Sequence, residues 1–411
     1  MENNKLVRWP KLVIGVVILL FAGIIYAWSI IKAPFVSMWD SGQLALNYTL
    51  TIIFFCLGGF FSGLISKKTS AMFRLIVSAA LLFAGFFITS FIIGGGGSIV
   101  VLYLAYGILA GTGIGFAYNT VISATNAWFP DKKGLCSGIL LMGFGLSLLV
   151  IGNLADALGK AASIGWKTTY IILAIAIGVI LLAAAFLVKP PPQGTVFPAP
   201  KASKKKQKSE AIKDYTALEM IKRPSFILAF IFITLVAASG SAALGVAKDI
   251  IIDVGAKESF AVMAVGLLGI FNGLGRLTSG WLFDNLGIRK TQFISSAVSI
   301  LAPLTVVLAL SISGQQVSTL SMIVGIIGVC LCVFSYGFAP TTGSVFAAEF
   351  YGPKNFPLNF SILNLILIPA PFAATLAGSI KAATGEFRTA FIILAAGAAV
   401  GFLVNLGIKK P

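Results

Sequence analysis

Twelve apolar runs, each close to the roughly 20 residues that a helix needs to cross a hydrocarbon core, constrain this chain more than any other feature. They cover 11–33, 44–66, 72–93, 98–126, 134–158, 166–188, 224–247, 259–283, 290–312, 318–343, 355–381 and 387–408. In lipid the backbone must satisfy its own hydrogen bonds, which leaves only helices and closed barrels. The runs are continuous and rich in Leu, Ile, Ala and Gly, without the alternation of a barrel strand, so they read as helices. Composition agrees, since 58% of the 411 residues are hydrophobic and 10% are charged, against about 25% charged in soluble domains. The expected fold is an all-α membrane protein, with twelve transmembrane helices in two six-helix bundles.

A net charge of +17 raises the possibility of nucleic-acid binding, but the basic residues collect on alternate loops. Lys32, Lys160, Lys167, Lys248, Lys257, Lys381 and Arg388 fall on one side and Arg276 falls within a span, whereas the other 22 of the 30 Lys and Arg fall on the opposite side. Positive-inside asymmetry makes that richer side cytoplasmic and places both termini there, with Lys5, Arg8 and Lys11 holding the N-terminus. No cleavable signal peptide is expected, because the first run is full length and leads directly into the second. Cys56, Cys136, Cys330 and Cys332 lie in or at the ends of apolar runs and read as small hydrophobes. With no histidine in the chain, neither a metal site nor a cofactor is expected.

The long polar segment, 189–223, divides the chain into halves, 1–188 and 224–411. It opens with Pro190, Pro191 and Pro192 and carries Lys204, Lys205 and Lys206. This is a cytoplasmic linker whose lysines meet water or anionic lipid. Thr216 and Glu219 have the spacing of a helix-capping box, which predicts a short interfacial helix.

Six spans, a basic linker and six spans resemble the plan of the major facilitator superfamily, whose halves are related by an axis along the membrane normal. Gly280-Trp-Leu-Phe-Asp284-Asn-Leu-Gly287-Ile-Arg289-Lys290 resembles that superfamily's cytoplasmic loop signature. The resemblance implies a gate in which Asp284 pairs with Arg289 or Lys290. The first-half copy, with Gly59, Gly63, Lys67, Lys68 and Arg74, lacks the acid. Tyr118-Asn-Thr-Val-Ile-Ser-Ala-Thr-Asn126-Ala-Trp128-Phe-Pro130-Asp131-Lys132-Lys133-Gly134-Leu-Cys-Ser-Gly138 is similar to the oxalate/formate antiporter family and its bacterial monocarboxylate-transporter relatives. That similarity covers the whole chain in span order. It implies a prokaryotic inner-membrane carrier of a small organic anion.

Arg276 is the charged residue that falls deepest within a span. Such a charge costs about 2.5–3.5 kcal/mol on insertion scales, so it is expected to face a wet cavity. No acid in a span is available to neutralise it, since Asp156 falls at the outer end of the fifth run, which leaves an anionic substrate to balance the charge. A guanidinium holds a carboxylate through two parallel N–H bonds. Asn272, four residues earlier, shares its helix face and places an amide one turn away. Related eukaryotic monocarboxylate carriers resemble this site but have an aspartate where Asn272 stands. Tyr26, Tyr118 and Tyr336 resemble the family's aromatic cavity lining, and Asn119, Asn359 and Asn364 are further polar candidates. Oxalate-carrying members have a lysine in the eleventh helix, where this chain has Leu363. One fixed cation balances a monoanion, so the expected substrates are lactate, pyruvate, formate or acetate-like acids.

The expected mechanism is alternating access around Arg276 in a monomer, with proton symport first and obligatory anion exchange as its rival. The rival classes are a drug exporter, a channel or sensor, and a membrane enzyme. An exporter is expected to use an intramembrane acid, and neither a signalling domain, a pore-like ring nor paired catalytic acids are visible. Gly107, Gly111 and Gly115, and Gly134, Gly138, Gly143 and Gly145, read as close-packing helix faces. Pro340, Pro369 and Pro371 are expected to break helices.

Overall fold

The structure is a computed structural model. It describes residues 2–95, 97–192, 194, 195, 197, 213–315 and 317–411, with backbone alone at 2–7, 41, 42, 259, 262 and 315. Lys204, Lys205 and Lys206 lie outside the described residues.

Every regular element among the described residues is a helix. Eleven helical stretches among them are long and apolar enough to span a membrane. The first seven are α1 (Arg8–Phe35), α2 (Gln43–Ile65), α3 (Ala71–Ile92), α4 (Ile99–Asn126), α5 (Lys133–Lys160), α6 (Gly165–Leu187) and α7 (Pro224–Asp253). Met263–Gly314 follows with 52 residues. As one straight helix it would be about 78 Å long, more than twice the membrane core. It is interrupted at Gly287, whose φ of 78° and ψ of 172° suit a residue without a Cβ. That turn separates α8 (263–286) from α9 (288–314), and α10 (Thr319–Phe350), α11 (Phe356–Thr384) and α12 (Arg388–Gly407) complete the twelve.

Short polar residues set the helix starts. Asp40 and Gln43 form a capping box before α2, as do Ser318 and Ser321 before α10. Ser70 and Ser98 accept backbone N–H bonds at the starts of α3 and α4. Each cap satisfies a donor that the first turn leaves orphaned. The box foreseen in the linker is present around the short helix Ala217–Ile221, where Thr216 N donates to Glu219 Oε2 at 2.7 Å.

Several helices depart from α geometry. Within α4, Tyr103–Ala110 is π-helical, and α7 loses helical dihedrals at Val246. In α11 a 3-10 turn, Asn364–Leu367, precedes Pro369 and Pro371, and α geometry resumes at Phe372. These two prolines break their helix as expected. Pro340 does not, because α10 runs through it to Phe350. Residues 335–348 are all buried, and packing on every side holds the helix despite one missing N–H.

The contacts define two compact units. The first comprises Met1–Lys132, Gly143–Lys201 and Asn355–Ile362, and the second Lys133–Met142, Ala202–Lys354 and Leu363–Pro411. These follow the two sequence halves, except that the start of α5 belongs with the second unit and the start of α11 with the first.

In the first unit, the α4 glycines meet α2 as the spacing foretold. A Cβ on Gly107 would touch Asn47 and Leu50, one on Gly111 would meet Thr51, and one on Gly115 would overlap Phe55 and Gly59. Ser62 and Thr120 join the same two helices by a hydroxyl bond of 3.0 Å. The second unit buries Ala242, Ile250, Leu268, Val306, Val333 and Phe391 in one apolar core. Outward faces of both units carry large apolar side chains such as Phe91, Phe186, Leu301 and Leu403. That pattern costs free energy in water and none in lipid.

Candidate functional site

Arg276 lies on α8 in the second unit, where glycines on two sides let neighbouring backbones reach it. A Cβ on Gly138 of α5 would stand 2.6 Å from Arg276 O, and one on Gly337 of α10 would stand 2.7 Å from Arg276 N. Ser279 Oγ and Thr341 Oγ1 both donate to Arg276 O, at 3.1 and 3.4 Å. Small and hydroxylated residues therefore fix the backbone from which the guanidinium extends.

That guanidinium is only 1% exposed. Its Nε donates to Asn272 Oδ1 at 3.1 Å, and its Nη1 donates to Leu141 O at 2.6 Å. The predicted alignment of Asn272 and Arg276 on one face is present, with the amide oxygen turned toward the cation. The expectation of a wet cavity is not met in this conformation. Two protein oxygens contact the cation, and the short contact at Gly138 draws α5 close enough for the Leu141 carbonyl to stand where water would.

The remaining predicted residues divide between the units. In the first, Tyr118 is buried, stacks on Phe360 (5.8 Å, 17°) and meets Phe55 and Phe144 edge-on. Tyr26 is half-buried and also meets Phe144, at 5.5 Å. Asn119 Nδ2 donates to Pro357 O at 2.7 Å, and Asn359 is fully buried. In the second unit, Tyr336 is buried on α10 beside Gly337, and a Cβ on Gly240 of α7 would collide with it. Asn364 opens the 3-10 turn of α11 and is buried. Leu363 is wholly buried, so the position compared with the family's second cation is an apolar one.

Asp284 has backbone partners that the sequence did not announce. Gly134 N donates to Asp284 Oδ1 at 2.9 Å and Leu135 N donates to Asp284 Oδ2 at 2.7 Å, while Arg289 and Lys290 are exposed. The carboxylate therefore caps the N-terminus of α5, where orphaned N–H groups and the helix dipole favour an anion. The partner is backbone because Gly134 and Gly280 bring α5 and α8 into direct contact, each occupying the space where a Cβ on the other would go. Lys133 supports the junction with an ion pair to Glu349 at 2.9 Å. Ser137 and Ser344 add a hydroxyl bond of 2.8 Å.

Two stretches quoted separately above, Gly134 to Gly138 and Gly280 to Asp284, are thus the two sides of one contact. The sequence signal was the four-residue spacing in each. In the first unit Gly63 of α2 approaches Pro357, Leu358 and Ser361 of α11 in similar fashion, without an acid among these residues.

Also missed was the pairing of Asp131 with Arg8. Their 2.6 Å ion pair is nearly buried, and the Arg8 guanidinium lies 5.0 Å from the Phe129 ring centroid. It fastens the start of α1 to the turn between α4 and α5.

Comparison with known proteins accords with this architecture. A sequence profile of the Major Facilitator Superfamily matches residues 12–341. The uncharacterized MFS-type transporter YhjX of Escherichia coli is 26% identical over 369 residues, covering 89% of this chain and 86% of its own length. The oxalate:formate antiporter of Oxalobacter formigenes is 26% identical over 308 residues, covering 74% and 68%. Monocarboxylate transporter 12-B of Danio rerio is 24% identical over 216 residues, covering 47% and 44%. Among solved structures, the E. coli fucose:proton symporter FucP superposes with a TM-score of 0.70 at 16% identity, over 98% of this chain and 99% of that one. With its twelve apolar helices and a profile match across most of its length, the chain belongs to the major facilitator superfamily.

Proposed function

We propose that this transporter carries small monocarboxylates of the lactate or pyruvate type by alternating access, with a proton as the co-transported ion. One observation carries the reading: the buried Arg276 guanidinium, held by the neutral oxygens of Asn272 and Leu141. A carboxylate makes shorter and stronger bonds to a guanidinium than an amide or carbonyl does. It can therefore replace these acceptors when the helices part. Asn272 then supports the guanidinium from behind or turns its amide to a hydroxyl or keto oxygen on the acid.

Leu363 favours monoanions over dianions, because a second carboxylate would enter an apolar environment without a matching cation there. Tyr336, buried in the same unit as Arg276, supplies an apolar wall with a hydroxyl tip. The Asp284 cap on α5 is the gate element of this reading, and its release accompanies separation of α5 from α8. We place the protein in a prokaryotic plasma membrane with both termini in the cytoplasm.

Anion exchange is the second reading, favoured by the relation to an oxalate:formate antiporter. Proteoliposomes separate the two. Uptake of labelled lactate into vesicles without internal anion, driven by an imposed pH gradient, is the symport result, whereas uptake only into anion-loaded vesicles is the exchange result. Saturable lactate uptake retained by Arg276→Ala would sink the site assignment.

A further inference from the structure

The short helix Ala217–Ile221, just before α7, lies outside the Arg276 site, and its own unit holds it firmly. Tyr215 N donates to Tyr351 O at 2.9 Å, and Lys354 N donates to Asp214 Oδ1 at 2.8 Å. Tyr351 in turn shares a 3.1 Å hydroxyl bond with Ser225, and Met220 is wholly buried. These contacts tie the short helix to the start of α7 and the end of α10. At 30 and 32 residues, those two helices are about 45 and 48 Å long, the thickness of a bilayer with its headgroups. The short helix therefore lies at headgroup level.

Its outward face is apolar. Leu218 is 73% exposed, more than any other large apolar side chain among the described residues, and Ile221 is 41% exposed. Three and four residues after Leu218, Ile221 and Lys222 share its side of the helix. Water against that face costs free energy, whereas the acyl boundary of a leaflet costs none.

Four exposed cations accompany this helix, Lys213, Lys222, Arg223 and Lys354. The acids nearby are turned to other donors. Asp214 takes the Lys354 backbone N–H, and Glu219 Oε2 accepts from Thr216 N and Thr216 Oγ1 at 2.7 and 2.9 Å. No ion pair among the described residues involves any of the four cations. Lys213 and Arg223 act on Glu219 only by longer-range attraction. What fixes these two is the buried Tyr215 ring, whose centroid lies 5.3 Å from Lys213 Nζ and 5.2 Å from the Arg223 guanidinium carbon. An aromatic ring positions a cation without neutralising it, so both charges stay available to an anion.

We propose that this short helix docks on anionic phospholipid, with Leu218 and Ile221 entering the acyl boundary and Lys213, Lys222 and Arg223 meeting the headgroup phosphates. Apolar insertion combined with cationic attraction is what binds a surface helix to a charged leaflet. A soluble anion would use the cations and leave Leu218 in water, whereas an anionic lipid satisfies both. The docking gives the linker a fixed end at the leaflet from which α7 starts. It does not depend on which acid Arg276 takes.

Lipid-specific quenching tests it. The full chain with Leu218→Cys is labelled with bimane and placed in nanodiscs of phosphatidylcholine and phosphatidylglycerol, the unsubstituted protein giving the background from its own cysteines. Bromines on the phosphatidylglycerol chains should quench the label several-fold more than the same bromines on phosphatidylcholine. Changing Lys213, Lys222 and Arg223 together to Gln should remove that preference, because each cation near a charged leaflet contributes about fivefold. Lys213→Arg with Lys222→Arg keeps the charge and should keep the preference. Absence of quenching by either lipid, or equal quenching by both, overturns the proposal. A preference that survives the three Gln changes, or is lost in the Arg variant, overturns it as well. Abolition of the preference by inorganic phosphate would make this a site for a free anion and likewise overturn the docking.

Discussion

At the scale of single residues, Arg276 and its surroundings show how a buried cation is made tolerable. Two glycines admit α5 and α10, and their approach delivers Leu141 O to the guanidinium while Asn272 Oδ1 takes the Nε proton. Lysine at 276 would keep the charge but lose the planar fork that grips a carboxylate at two points. Arg276→Lys should therefore weaken lactate binding about tenfold or more, and Arg276→Ala should abolish it, as two charge-assisted bonds are lost. Equilibrium binding of labelled lactate to purified variants reads both values.

Position 276 stood out in the sequence because a charge within an apolar run is conspicuous. Its burial was not legible there. The distances that close α5 and α10 around it depend on Gly138 and Gly337 meeting α8, and a sequence shows such glycines without showing what they face. The same limit applied to Asp284. A carboxylate beside Arg289 and Lys290 reads as half of an ion pair, whereas the fold offers it two backbone donors at Gly134 and Leu135.

At the scale of elements, the α5–α8 junction joins a helix start capped by an acid to a glycine contact. Asp284→Ala removes the cap and leaves two N–H groups of α5 to find other acceptors. A helix-terminal charge is worth about 0.3–1 kcal/mol when exposed and up to about 2 kcal/mol when partly buried. The variant should expose α5 to cysteine-directed labelling at Ser137→Cys faster than wild type does, and unchanged labelling would contradict a gating role. Gly280→Ala acts by a different route, because its Cβ overlaps Gly134. Overpacking of this kind costs typically 1–3 kcal/mol, so a lower melting temperature of the solubilised protein is expected.

The short helix near the end of the linker was legible in the sequence, since Thr216 and Glu219 carry the whole signal. The exposed Glu219 carboxyl is held below its ordinary range, first by the backbone N–H of Thr216. A depressed carboxyl stabilises the helix above its unfolded pKa and loses that contribution as pH falls through the folded value. Amide exchange in 217–221 should accelerate in acid, and Glu219→Gln should remove most of that pH dependence.

At the scale of the whole molecule, the number and order of spans followed from hydropathy alone, because a bilayer allows few alternatives. The membership of the two compact units did not. The start of α5 packs with α8 and the start of α11 with α2, an exchange set by small-residue contacts that span counting cannot detect. Coupling is likewise a property of the molecule and not of a motif. In the proposed reading Arg276, in the second unit, takes the anion. The most direct test of the central claim is equilibrium binding of labelled lactate to the purified wild type and to Arg276→Ala, in competition with formate, oxalate and a cationic drug. The account predicts saturable binding in wild type, displaced by monocarboxylates more strongly than by oxalate and abolished in the variant. Binding that survives the loss of Arg276, or that only the cation displaces, would contradict it.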